Sequence, residues 1–260
     1  MTLCAENVTL ELGSKRVLTE ASVEVVPGQV TALVGPNGVG KSSLVRLLCG
    51  EVTPGGGSVS AGGQPLERLG VREQARLRSV VSQSAAMAFD FYVDEVLAMG
   101  WIPDPADPAD YDDACTKVVE QCQIGHLLGR KYKTLSGGER QCVQFARALL
   151  QIWRDACGGD VDVRYLLLDE PTANLDLGHE ALILGLARAT TARNVGVLVV
   201  LHDIDMAAAF ADHVVLLVDG VVAARGSPGD VLTSDRLSRV YQTPVRVEWH
   251  DGLGRLVVLR

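Results

Sequence analysis

The run Gly35-Pro36-Asn37-Gly38-Val39-Gly40-Lys41-Ser42 restricts the possible folds of this chain more than any other segment. It satisfies G-x-x-x-x-G-K-[ST] and follows the short apolar run Val30–Val34. After it, Leu44, Leu47 and Leu48 recur at helical spacing until Gly50 closes the pattern. A buried strand that breaks at a glycine loop and resumes as a helix turns successive N–H groups inward. The helix N-terminus adds its partial positive charge, so the loop is built for phosphate oxygens. In such a loop Lys41 reaches the β- and γ-phosphates and the Ser42 hydroxyl ligates Mg²⁺, with Ser43 just behind them.

The flanking pattern agrees with a strand-and-helix core. Val8–Leu12 and Val17–Val26 read as β-structure around Gly13-Ser14, and Pro54–Gly57 with Gly62-Gly63 brackets a further small strand. Val71–Arg78 reads as a short polar helix leading into a strand over Val80–Gln83. Residues 84–150 change character. Asp94–Met99, Asp113–Gln123 and the amphipathic Glu139–Gln151 are helical in pattern, with a proline-rich turn over Pro103–Pro108. Alternation then returns as strand Tyr165–Leu168, helix His179–Thr191, strand Val195–Leu201, helix Met206–Ala211 and strand Val214–Val218. Strands separated by helices predict a mainly parallel sheet covered on both faces. A helix over Thr233–Val240 and a hairpin from Val245–Trp249 and Arg255–Leu259 around Asp251-Gly252 end the sequence.

Composition excludes several classes. The 260 residues carry a net charge of −8 with no basic cluster, which argues against a nucleic-acid partner. No apolar run approaches the roughly 18 residues of a membrane span, and the start lacks the charged and apolar regions of a secretion signal. Cys4, Cys49, Cys115, Cys122, Cys142 and Cys157 form no C-x-x-C pair, so reduced packing thiols are expected.

Two further segments carry chemistry. Tyr165-Leu166-Leu167-Leu168-Asp169-Glu170 is an apolar strand ending in adjacent carboxylates. Set near Ser42, Asp169 supplies a second contact to Mg²⁺ and Glu170 orients and polarises the attacking water; by itself, such a pair also suits a solvated strand end. Leu135-Ser136-Gly137-Gly138-Glu139 has the spacing of a capping box, yet its two glycines also expose N–H groups at a helix start, a second anion site.

With these motifs in hand, the sequence resembles the ATP-binding cassette family of transporter ATPases over about residues 2–243. Leu135–Glu139 matches its signature loop, Gly35–Ser42 its Walker A motif and Leu166–Glu170 its Walker B motif. The resemblance implies an α/β P-loop NTPase (RecA-like) core with a mainly parallel sheet, an N-terminal antiparallel β-subdomain and an inserted helical subdomain. The core would comprise 2–84 and 151–243, the helical subdomain 85–150, and a C-terminal β-hairpin extension 244–260. It also implies a head-to-tail homodimer, in which Ser136, Gly137 and Gly138 of one chain contact the γ-phosphate held by Lys41 of the other. Gln83 matches the glutamine expected at Mg²⁺ or the lytic water, Asn174-Leu175-Asp176 the loop linking the two sites, and His202 the switch histidine that holds the γ-phosphate. One position departs from the family: the aromatic that stacks on adenine is missing near Leu12, leaving Leu12 or Val17 to pack the base.

Further resemblance points to the iron-chelate, heme and cobalamin importers. It rests on Ala88–Val96, on the Gln141–Trp153 helix with the loop Arg154–Arg164 behind it, and on Val240–Val245. That group implies an ATPase, peripheral to the cytoplasmic face of the inner membrane, paired with two transmembrane permease subunits and served indirectly by a periplasmic binding protein. Heme is the cargo it favours, ahead of Fe(III)-siderophore or cobalamin. A soluble regulator that uses ATP only to switch dimerisation is the competing class.

Overall fold

The computed structural model describes residues 2–82, 87–103, 110–154, 163–173 and 175–259. Strands β1 (Leu3–Leu12) and β2 (Lys15–Val25) form a hairpin, followed by the wholly buried β3 (Val30–Val34) and helix α1 (Lys41–Leu48). Next come β4 (Gly56–Ala61), the short β5 (Gln64–Pro65), α2 (Val71–Leu77) and β6 (Arg78–Val81). Three helices, α3 (Val93–Ala98), α4 (Tyr111–Gln121) and α5 (Gly137–Gln151), lie between β6 and the buried β7 (Arg164–Asp169). The chain continues with α6 (Leu177–Thr190), β8 (Val195–Val200), α7 (Ile204–Phe210), β9 (His213–Val218) and β10 (Val221–Gly226). It ends in α8 (Pro228–Val231), α9 (Ser234–Tyr241) and the hairpin β11 (Arg246–His250) and β12 (Arg255–Leu259).

The central sheet has the order β10-β9-β3-β8-β7-β6, parallel throughout except for the antiparallel β10 at its edge. A second, antiparallel sheet runs β2-β1-β4-β5. The period of two along each central strand feeds two separate cores. Val197 and Val199 of β8, with Leu166 and Leu168 of β7, face the helices α3 to α7, whereas Leu198 and Val200, with Tyr165 and Leu167, face α1 and the antiparallel sheet. This double burial explains why the central strands read as continuous apolar runs. It also makes the expected mainly parallel sheet with an N-terminal antiparallel layer the observed one.

The differences are local. Strand β6 stops at Val81, short of the expected Gln83, and Gln83 lies outside the described residues, as do Asn174, Cys157 and most of the segments 103–108 and 154–164. Helix α4 starts two residues early because the Asp110 carboxylate accepts from the N–H groups of Asp112 at 2.9 Å and Asp113 at 3.2 Å. Asp176 caps α6 in the same way, accepting from the His179 N–H at 2.9 Å. Strand β10 was not expected: alternate residues are exposed, and it pairs along one side only. Among the described residues Cys4, Cys49, Cys115, Cys122 and Cys142 are free thiols, and no helix is long and apolar enough to cross a membrane.

Gly35, at the exit of β3, has φ +150, and a Cβ there would stand 2.0 Å from the Leu217 carbonyl oxygen. Only glycine lets β3 leave the sheet beside β9 and enter the loop. Gly35→Ala is therefore expected to cost at least ~1–3 kcal/mol in urea unfolding and to weaken nucleotide binding, since backbone rather than a flexible side chain has to give way.

Candidate nucleotide site

Three neighbouring parallel strands deliver the site. Leu33 of β3 is in register with Val200 of β8, and Val200 with Asp169 of β7, so the loops that follow leave the sheet from one edge. They frame a cleft of about 350 Å³ lined by Val17, Asn37, Gly38, Gly40, Lys41, Ser42, Ser43, Glu170 and His202. Gly40, at φ +105, lets the loop close against β2: a Cβ there would lie 2.9 Å from the Leu18 side chain and 3.0 Å from the Val17 carbonyl.

Lys41 is buried, and its ammonium donates to the carbonyls of Gly35 at 2.8 Å and Pro36 at 2.9 Å. Those two bonds fix the side chain along the loop and leave a third N–H for a phosphate oxygen. Burial lowers its pKa, opposed by the nearby carboxylates of Glu170 and Asp169. Asp169 is likewise buried, and burial raises its pKa; the hydrogen bond from Ser42 opposes this, Glu170 adds to it, and Lys41 and His202 oppose it. The Ser42 hydroxyl donates to Asp169 Oδ1 at 3.2 Å. A hydroxyl and an incompletely compensated carboxylate, side by side, form a hard-oxygen pair. That suits Mg²⁺, which takes one or two protein oxygens and finds its others in phosphates and water.

Glu170 follows directly in a left-handed backbone conformation, φ 53, which for a residue other than glycine costs ~1–2 kcal/mol. The turn sends Asp169 and Glu170 different ways, and Glu170 Oε1 stands 2.5 Å from His202 Nε2. Backbone strain of this kind has no signature in the sequence. It falls just past the end of β7, where the chain turns out of the sheet and into the cleft.

The cleft thus unites Asn37, Gly38, Gly40, Lys41, Ser42, Ser43, Glu170 and His202 as expected, with Asp169 bonded to Ser42 and Gly35 and Pro36 behind Lys41. Val39 points into the core and can offer a nucleotide only its backbone. Of the two candidates beside the base, Val17 lines the cleft, whereas Leu12 does not line it and is solvent-exposed. Ser136, Gly137 and Gly138 are not brought to this cleft. Ser136 caps α5 in a capping box: its Oγ accepts from the Glu139 N–H at 3.2 Å, and Glu139 Oε2 accepts from the Ser136 N–H at 2.7 Å. The capping-box reading of this segment is the observed one, and a hydroxyl that accepts from its own helix keeps its proton for another acceptor. His179 sits with Nδ1 2.9 Å from Asp176 Oδ1 and its ring beside Gly138.

Comparison with known proteins agrees with this geometry. The ABC transporter family pattern matches residues 18–173. The chain belongs to the ABC transporter family. It is similar to the hemin import ATP-binding protein HmuV of Bordetella avium, 43% identical over 100% of this chain and 99% of that protein. It is also similar to the Nocardia farcinica protein of the same name, 44% identical over 95% of this chain and 83% of that one. Among solved structures, a metal-chelate type ABC transporter in an inward-facing conformation matches with a TM-score of 0.79 at 24% identity, covering 99% of this chain and 96% of that chain. A nucleotide-free ATP-binding cassette matches with a TM-score of 0.74 at 23% identity, over 94% and 96%. At these identities the structures speak for the fold alone, while the family match identifies an ATP-binding ATPase. Importer ATPases of the ABC transporter family work with transmembrane permease subunits.

Removing the buried cation tests the site. Lys41→Ala is expected to lower ATP affinity by at least roughly 100-fold, because a buried charge-assisted contact to phosphate is lost. Isothermal titration with ATP reads the change, and circular dichroism checks that the fold persists.

Proposed function

We propose that this chain is the ATP-hydrolysing subunit of an importer that carries heme across a bacterial inner membrane. The observation that carries the hydrolytic part is the meeting of Lys41, Ser42, Asp169, Glu170 and His202 around one cleft, with Glu170 2.5 Å from His202. For the cargo, the support is the full-length similarity, at 43% identity, to a protein named for hemin import.

In this reading the loop amides and Lys41 bind the triphosphate of ATP, and Val17 offers its apolar surface to the base. Ser42 and Asp169, with Gln83 as a further contributor, would hold Mg²⁺, which would neutralise charge on the phosphates. Glu170 accepts a hydrogen bond from the attacking water and orients it, and His202 holds the γ-phosphate. Two copies pair head to tail, and Ser136, Gly137 and Gly138 of each close the other's cleft. The division of labour follows the chain: a core of 2–84 and 151–243, a helical subdomain of 85–150 that passes closure to two permease subunits, and the hairpin extension 244–260. The chain then sits at the cytoplasmic face of the inner membrane, and a periplasmic binding protein delivers cargo on the far side.

Glu170→Gln is expected to keep ATP binding, to lower turnover by about 100-fold or more, and to accumulate a nucleotide-dependent dimer on size exclusion. Near-normal turnover would remove Glu170 from the chemistry, and a monomer with ATP and Mg²⁺ bound would remove the paired-site reading. Cargo is tested by accumulation of labelled heme in a strain lacking this chain, with ferric siderophore and cobalamin as controls. Loss of heme uptake alone is expected; loss of only a control ligand reassigns the cargo.

A further inference from the structure

The scheme above gives the C-terminal hairpin no task, yet it is anchored at Asp205, three residues from His202. Arg255, the first residue of β12, makes a two-pronged contact with Asp205: Nη1 donates to Oδ1 and Nη2 to Oδ2, each at 3.0 Å. The same Asp205 Oδ1 accepts from the Val258 N–H at 2.9 Å, so one carboxylate pins both ends of the strand. The pair is about two-thirds shielded from solvent, and the Arg255 fork holds the Asp205 carboxyl below the usual range. A planar fork on a carboxylate fixes orientation as well as distance, which a point charge does not.

Asp205 lies in the first turn of α7, and that turn is tied to the residue following His202. Asp203 caps the helix, its Oδ1 accepting from the N–H groups of Asp205 at 2.8 Å and Met206 at 3.3 Å. On the other side of His202, the Leu201 N–H donates to the Leu33 carbonyl at 3.2 Å, fastening the end of β8 to β3. His202 is therefore strung between a sheet edge and a seven-residue helix. A helix this short has little stability of its own and takes its position from what it packs on. Ile204, Ala207 and Ala208 hold its inner face against the core, and the Asp205 side is held by β12.

We propose that Arg255 is a positioning residue for His202, acting through Asp205 and the first turn of α7. The inference rests on the reading that His202 serves hydrolysis. Without the fork, the outer side of the first turn of α7 keeps only the Val258 N–H as a tie, and His202 shifts from its place beside Glu170. Neither Arg255 nor β12 lines the cleft, so nucleotide binding at Lys41 has no part in this link.

The test uses the full-length chain. Arg255→Ala is expected to lower kcat for ATP hydrolysis by roughly 10- to 100-fold, the scale set by a misplacement of about 1 Å, with KM for ATP changed by less than about twofold. The imidazole resonance of His202, assigned by its disappearance in His202→Ala, is expected to shift in Arg255→Ala. Should Arg255→Ala fail to fold, Arg255→Lys, which keeps the charge and loses the fork, is read the same way. Unchanged kcat in a folded variant, a rise in KM alone, or an unmoved His202 resonance overturns the proposal. Full turnover in His202→Ala would sink the role of His202 and this inference with it. Impaired turnover in His202→Ala beside normal turnover in Arg255→Ala sinks this inference alone.

Discussion

Backbone pairing among β3, β8 and β7 sets everything the cleft can do. Leu33, Val200 and Asp169 stand in one row across three parallel strands, and the loops that line the cleft start from that row or within two residues of it. Because the pairing is parallel, all three loops leave in the same direction, and because both sheet faces are buried, a one-residue slip would exchange the two cores' side chains. Register is thus enforced by the burial of Leu198 and Val200 on one face and Val197 and Val199 on the other, far more strongly than by any contact within the site. The chemistry inherits its precision from packing.

On that frame sit groups that work against their own stability. Lys41 and Asp169 are charged groups that burial disfavours, and Glu170 holds a backbone conformation its side chain resists. Each is restrained by near neighbours: the loop carbonyls for Lys41, the Ser42 hydroxyl for Asp169, and His202 for Glu170. Of these groups Lys41 alone is complementary to the negative charge of a triphosphate, and its ammonium is already fixed at the cleft by two loop carbonyls, the kind of preorganisation from which electrostatic stabilisation gains most.

How much could be read in advance follows from range. The phosphate loop is local: a strand, glycines, a lysine and a helix within a dozen residues, so its composition and its context were legible together. Asp169 and Glu170 were legible as a strand end, and their meeting with Ser42 only through the resemblance, since 127 residues separate the bonded pair. Helix starts slipped where Asp110 and Asp176 reach forward to cap, a side-chain effect that apolar periodicity does not register. The left-handed turn at Glu170 and the grip of Arg255 on Asp205 left no trace in the pattern. The first is a backbone strain and the second a contact across 50 residues between elements that look unrelated along the chain.

Ser136 and Gly137 stand at an exposed helix start. Ser136 is exposed, with its hydroxyl oxygen engaged by its own helix and its proton free to donate, and a Cβ on Gly137 would meet nothing within 4 Å. Gly138 faces inward instead, beside the His179 ring, which Asp176 holds. The start of α5 therefore presents donors outward on one side and is braced from the other by the cap of α6, a helix that begins shortly after Glu170. In the paired reading proposed above, Asp176 and His179 brace from within the chain the donors that would face a second copy's cleft.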